Sequence, residues 1–328
     1  MRLDPRWSLT ERPARVDDAD DVHALAVLAG QAMDQPPLAT HTEILADLMH
    51  PNIRLDLDTR VIHDADGELQ AYGVFYVDRP GRSFLDLYLR PAIHRELLDH
   101  LLDYLLATGV HRAADDAHDR GLTRTIAETG AQRVDTPMFD AFARNGFHHG
   151  RTWWRMQIDF GSVAPPAESE LPTGITIEIV DPLDDGVAQR LYTLDETAFA
   201  HHYGHVPTDL ATWTVELRNE AGFDPSLARI ARVDGVDAAL LIGSDRIAND
   251  DLGYIDSLGV LEEFRGRGLG RALLQHAFAE YAQRGRTGVR LNVDSDNATG
   301  ATRLYESVGM SSVEVVDTWE LEVWLDGA

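Results

Sequence analysis

At 328 residues the chain is long enough for two domains with separate cores, and its 44% hydrophobic and 26% charged content is that of a globular protein. Its 55 acidic residues face 29 basic ones, all arginine, for a formal charge of -26, which argues against a nucleic-acid partner and tilts small ligands toward cations. Without cysteine, disulfides, thiolate nucleophiles and zinc–thiolate sites are excluded; no apolar run approaches the roughly eighteen residues of a membrane span, and the N-terminus lacks the apolar core of a secretory signal, so a cytoplasmic protein is expected.

The first half opens on a strand-like run at 9–15, LTERPAR, followed by helical patterns. Asp-Gly at 66–67 then signals a hairpin. LYLRPAIHRELLDHLLDYLL (87–106) reads as a strand end and a long helix, and NGFHHGRTWWRMQID (145–159) as a turn and a last strand. A stretch rich in Pro, Gly, Ser and Glu, 161–174, has no periodicity and reads as a linker. The second half repeats the plan: a strand ITIEIV at 175–180, helices, and a second Asp-Gly hairpin at 234–235. The strand LGYIDSLGV (252–260) should then show Leu252, Tyr254, Asp256, Leu258 and Val260 on one face. A helix with Gly270, Leu274, Ala277, Phe278 and Tyr281 on its apolar stripe follows, then a strand at 288–294 and a shorter helix striped by Ala301, Leu304, Tyr305 and Val308. The expected organisation is an internal duplication of the α/β (α+β) class: residues 1–160, a linker 161–174, and residues 175–328.

FRGRGLG (264–270) joins the strand to its helix. A glycine-rich turn entering a helix presents unpaired backbone N–H groups at the positive end of the helix dipole, a setting that suits phosphate. Arg265, Arg267 and Arg271 add charge there, with Arg284, Arg286 and Arg290 following, so a ligand with several phosphates is expected. The dinucleotide fingerprint G-x-G-x-x-G fails at Arg271, and the P-loop fails for want of its Gly-Lys-Ser/Thr ending.

Arg-x-x-Gly-x-Gly at Arg265, Gly268 and Gly270, directly after an apolar strand, resembles the acetyl-CoA signature of the GCN5-related N-acetyltransferase (GNAT) superfamily. LNVDSDNATGATRLYESVGM (291–310) resembles that superfamily's next strand and helix. The whole chain is similar to its tandem-domain members, of which mycothiol synthases are the familiar type. The resemblance implies two GNAT-like domains, each a mixed, mostly antiparallel sheet flanked by helices, and direct transfer of an acetyl group from acetyl-CoA to a primary amine in a ternary complex. It places the pyrophosphate on Arg265, Gly266, Arg267, Gly268, Leu269, Gly270 and Arg271, pantetheine along Leu258 and Val260, and makes the Leu258 backbone N–H an oxyanion donor. Asp256 is the implied base, or else orients the acceptor ammonium while water removes the proton. Tyr305 is the implied acid toward the leaving thiolate, with helix packing as its other explanation. Asn297 contacts pantetheine or caps a helix.

Acceptor recognition is expected from the loop 199–207, with His201, His202 and Tyr203, from Tyr254 and Asp256, and from Asp317 in the last strand; Glu320 is a further acid there. No metal is expected, because the three imidazoles of that loop have no carboxylate at ligand spacing. In the first half Pro91 and Ala92 stand where the glycine turn should be, so that half is expected to lack the CoA cradle. A small-molecule amine is the expected acceptor, with the chain's acidity favouring a cationic one; a mycothiol synthase-like enzyme, a protein acetyltransferase and a non-catalytic acyl-CoA-binding regulator are the alternatives. Neither the acceptor's identity nor the oligomeric state is legible in the sequence.

Overall fold

A computed structural model describes residues 8–79, 81–91, 95–161, 171, 173–202, 205, 207–295 and 300–325. The chain forms two compact units, Met1–Trp153 with Glu314–Ala328, and Trp154–Val313. These are not the two contiguous segments read from the sequence. The first unit contains β1 (Thr10–Arg12), α1 (Ala19–Ala32), α2 (His41–Leu48), α3 (Leu55–Asp58), β2 (Thr59–His63), β3 (Leu69–Arg79), β4 (Arg82–Leu89), α4 (Arg95–Asp119), β5 (Arg124–Gln132), α5 (Thr136–Arg144) and the start of β6 (His148–Asp159). The second holds the rest of β6, then β7 (Ile175–Ile179), α6 (Asp185–Phe199), α7 (Leu210–Asn219), β8 (Arg229–Val233), β9 (Val236–Ser244), β10 (Leu252–Val260), α8 (Leu269–Gln283), β11 (Gly288–Asp294) and α9 (Ala301–Ser307). The chain's last strand, β12 (Ser311–Trp324), pairs antiparallel with β5 from Val316↔Gln132 to Trp324↔Arg124, which is why its final residues belong to the first unit.

Strands in the first unit run in the order β1-β2-β3-β4-β5-β12, and in the second β11-β10-β9-β8-β7. Among the registers described, only β4/β5 and β10/β11 are parallel. The Asp-Gly signal at 234–235 is a two-residue hairpin loop between Val233 and Val236, with φ of 50° and 83°, the left-handed values such a turn demands. The first Asp-Gly lies in a longer loop, with His63 paired to Leu69. No helix among the described residues is long and apolar enough to cross a membrane.

The second unit's main core lies between the sheet and α8, whose Leu269, Leu273, Leu274, Ala277, Phe278 and Tyr281 pack with Val289, Leu291 and Val293 of β11. Tyr281 is fully buried, and its hydroxyl donates to the carbonyls of Tyr254 (2.6 Å) and Ser244 (3.0 Å), partners across the β9/β10 ladder. Gly253 and Gly243 leave room for that ring: a Cβ on Gly253 would lie 2.3 Å from it, and one on Gly243 2.5 Å from its hydroxyl.

Asp317 is 4% exposed within the first unit. Burial alone would raise its carboxyl, but bonds from Arg133, Thr152 and His149 overcome that and hold it at about 2. The sequence reading of Asp317 as an amine receptor therefore fails: Arg133 already occupies the carboxylate. Glu320 belongs to the same unit, 3.9 Å from Arg82.

Replacing Tyr281 with Phe keeps the packing and removes the donor between two buried carbonyls. The expected loss, read as a shift in the urea midpoint at unchanged m-value, is about 1–2 kcal/mol.

Candidate active site

β10 and β11 pair only from Leu252↔Gly288 to Tyr254↔Arg290, although β10 runs on to Val260 and β11 to Asp294. Beyond Tyr254, then, one edge of β10 has no strand partner among the described residues. On its other edge the ladder to β9 shifts register between Ile255 (opposite Gly243) and Ser257 (opposite Ile242), which leaves Asp256 as the extra residue of a bulge.

The bulge corrects the alternation expected from sequence. Tyr254 packs with Ile247 and Leu252, whereas Leu258 and Val260 pack with Ile255 on the α8 side. Asp256 and Ser257 both turn instead to a cavity of about 350 Å³ under α6 and α7. Asp256 and Leu258 therefore do not share a face, because one inserted residue reverses the two-residue period.

Trp213, Glu216, Leu217 and Glu220 line the cavity from one face of α7 and its C-cap, at i, i+3, i+4 and i+7. Ile242, Tyr254 and Arg246 complete the wall beside Asp195 of α6. Asp195 accepts bonds from Trp213 Nε1 and Ser257 Oγ, both 3.0 Å, which fixes the bulged segment to α6. Arg246 stands 3.5 Å from Asp256 and its guanidinium lies 4.9 Å over the Tyr254 ring. The Asp256 side chain is 20% exposed. Burial, with Glu220 adding to it, raises the Asp256 carboxyl to about 6 against the pull of Ser244 and Arg246. Burial also raises Asp195, against the bonds from Trp213 and Ser257.

At the far end of β10 the turn forms as the glycines predict. Gly266 (φ 75°) and Gly268 (φ 82°) are left-handed, and a Cβ on either would meet nothing within 4 Å. Gly268 caps α8 without any side-chain bond, so the helix's first N–H groups stay available, and Leu269 is buried behind them. Gly270 serves packing: its Cβ would lie 2.8 Å from Leu304 of α9. Around the turn, Arg265 donates to the Val260 carbonyl (3.2 Å), Arg267 stacks over Phe264 (5.5 Å) and Arg271 donates to the Ser307 carbonyl (3.0 Å). An open glycine turn feeding an uncapped 15-residue helix fits a polyphosphate group.

The wider cluster of six arginines does not form. Arg284 and Arg286 lie past the other end of α8, paired with Asp224, Glu280 and Asp245, and Arg290 bonds to Gln157. A 15-residue helix is roughly 22 Å long, too far for those cations to act at its start.

Tyr305 is buried in the α8 core, and burial alone raises its hydroxyl to about 12. That hydroxyl has no hydrogen-bond partner among the described residues. His201 and His202 do not line the cavity: the His202 ring lies edge-on to Phe199 at 5.6 Å, and His205 stands 3.4 Å from Glu196. Tyr203 and Asn297 lie outside the described residues. Asp195, Trp213, Glu216, Glu220 and Arg246 were missed from sequence, although the α7 spacing at 213, 216, 217 and 220 was a readable face.

Residues 188–310 match the acetyltransferase (GNAT) family. A mycothiol acetyltransferase of Thermobispora bispora is 32% identical over 58% of this chain and 66% of its own length, just under two thirds of that protein. Another from Cellulomonas flavigena is 27% identical over 90% of this chain and 84% of its own. The crystal structure of a GCN5-related N-acetyltransferase from Sphaerobacter thermophilus superposes with a TM-score of 0.78 at 25% identity, over 97% of this chain and 96% of that one. Residues 188–310 thus carry the match to the GNAT acetyltransferases, and the chain as a whole is similar to GNAT proteins over nearly its full length.

The Asp256 carboxyl should titrate with a midpoint near 6 in a pH series of side-chain ¹³C shifts. Glu220→Gln removes a like charge and should lower that midpoint, while Arg246→Ala should raise it.

Proposed function

We propose that the chain is an acetyl-CoA-dependent N-acetyltransferase that acetylates a primary amine of a small molecule by direct attack in a ternary complex, using its second unit. The observation that carries this reading is the parting of β10 from β11, which runs from the bulged Asp256 to the glycine turn. Relatives named mycothiol acetyltransferase support a small-molecule acceptor, and the carboxylates around the cavity support a cationic one.

Bound acetyl-CoA would supply an acyl group activated as a thioester. The N–H groups of Arg265–Gly270 would hold its pyrophosphate, and the unpartnered edge of β10, Leu258 to Val260, would take the pantetheine arm and the acyl oxygen. Asp256 attracts the acceptor ammonium and, with a carboxyl near 6, accepts its proton directly or through water near neutrality. The freed amine forms the C–N bond as the C–S bond breaks. Tyr305, protonated at any physiological pH, donates its proton to the departing sulfur and is reprotonated, through water, by the proton that the acetylated nitrogen sheds as the neutral amide forms. In the first unit Pro91 follows β4 where the second unit has its glycine turn, so we assign no CoA site there.

Isothermal titration with acetyl-CoA should give one site per chain, weakened at least ten-fold by Gly268→Val. That side chain meets nothing nearby, and its left-handed φ should cost only about 1–2 kcal/mol of stability. Two sites would place a second cradle in the first unit, and none would overturn the transferase reading.

Asp256→Asn should lower kcat/KM by roughly 10²–10⁴-fold and abolish an acidic limb centred near pH 6. Below that pH the wild-type carboxyl is protonated and inactive; above it the carboxylate is the working form. Tight acetyl-CoA binding with no CoA released in the presence of any amine would favour the regulator instead.

A further inference from the structure

The first unit has an acidic, tyrosine-rich patch of its own, on the sheet face packed by α1 and α2. There β3 presents Tyr72, Val74 and Tyr76 directly opposite Tyr88, Asp86 and Phe84 of β4. Tyr72 and Val74 pack against Val22, Leu25 and Ile44 of the two helices, with Tyr76 and Tyr88 at the border of that cluster. The Tyr72 and Tyr88 rings lie 5.8 Å apart. Tyr72 is 2% exposed, while Asp86, Tyr76 and Tyr88 keep partial exposure, so the patch has an open side.

Asp86 has no hydrogen bond and no ion pair among the described residues. Burial first and Glu43 of α2 second raise its carboxyl to about 6, and no cation contributes. The Tyr72 and Tyr88 hydroxyls are raised well above their usual range, chiefly by burial and then by Asp47 and Asp86. A sequestered carboxylate without a cation or a donor is costly, and tyrosine faces attract cations. The constellation lacks one component, a positive charge.

The second unit repeats the pattern. β4 parts from β5 after Leu85↔Thr129, one residue before Asp86, as β10 parts from β11 shortly before Asp256. Glu43 and Asp47 stand one turn apart on α2, as Glu216 and Glu220 do at α7.

We propose that the first unit carries a non-catalytic binding site for a small organic cation, an alkylammonium held by Asp86 between Tyr72, Tyr76 and Tyr88. This inference stands on that unit's own geometry: a chain that transfers no acetyl group could still show the site, and an active transferase could lack it.

The test is a ligand-observed NMR titration of the full chain with propylammonium chloride, without acetyl-CoA, in an Asp256→Asn background that silences the second unit's carboxylate. One site should remain, and adding Asp86→Asn should weaken it at least ten-fold without lowering Tm, since Asn removes an uncompensated charge. Tyr76→Leu, which keeps the packing apolar but removes the ring, should weaken it several-fold and decides the matter if Asp86→Asn fails to fold. The proposal is overturned if no site remains, if Asp86→Asn leaves affinity unchanged, or if affinity and Tm fall together in both variants.

Discussion

The geometry of the second unit's candidate site depends on one buried hydroxyl. Tyr281 reaches from α8 to the carbonyls of Tyr254 and Ser244, the cross-strand pair at which β10 makes its last pairing with β11 and stands one residue short of the shift in its ladder to β9. Before that point β10 is a central strand with neighbours on both sides. After it, β11 has gone, and from Ser257 onward β9 is out of step by one residue. The hydroxyl thus anchors the last level at which β10 has regular partners on both sides, and the two glycines that make way for the ring, Gly243 and Gly253, are explained by it rather than by any turn. Everything the site uses on β10 lies within six residues of that anchor.

The acidity of the chain and the charge of its site are separate matters. The cations that looked like a single cluster divide by function once α8 is given its length: three stand around the glycine turn, and the rest brace the unit against Asp224, Glu280, Asp245 and Gln157. The turn itself offers backbone N–H groups more than side-chain charge, since Arg265 and Arg271 are each already bonded to a carbonyl. The cavity at Asp256 works in reverse. Asp256 has a guanidinium only 3.5 Å away, yet its carboxyl still rises, because burial outweighs the attraction.

What was legible in the sequence was local. The Asp-Gly hairpin at 234–235, the glycines at 266 and 268, the α8 stripe and the duplicated plan each follow from dihedral preference or periodicity over a dozen residues. Three things were not. The bulge at Asp256 has no sequence marker, since nothing in YIDSLG distinguishes a regular strand from one with an inserted residue, and so the shared face of Asp256 and Leu258 was misread. The Asp195–Trp213–Ser257 contacts join residues up to 62 apart, which no pattern reveals. Asp317 looked like an exposed acid because its partner, Arg133, is 184 residues earlier.

The pairing of β12 with β5 has a consequence for how the chain is made. Residues Val316–Trp324 leave the ribosome after the entire second unit, so for most of synthesis β5 waits with an open edge, its N–H and C=O groups free to recruit a strand from a neighbouring chain. The first unit, begun first, is closed last. The second unit can reach its core while the first is still incomplete, and loss of Val316–Trp324 would reopen the β5 edge in the unit that was begun earlier, not in the one just completed.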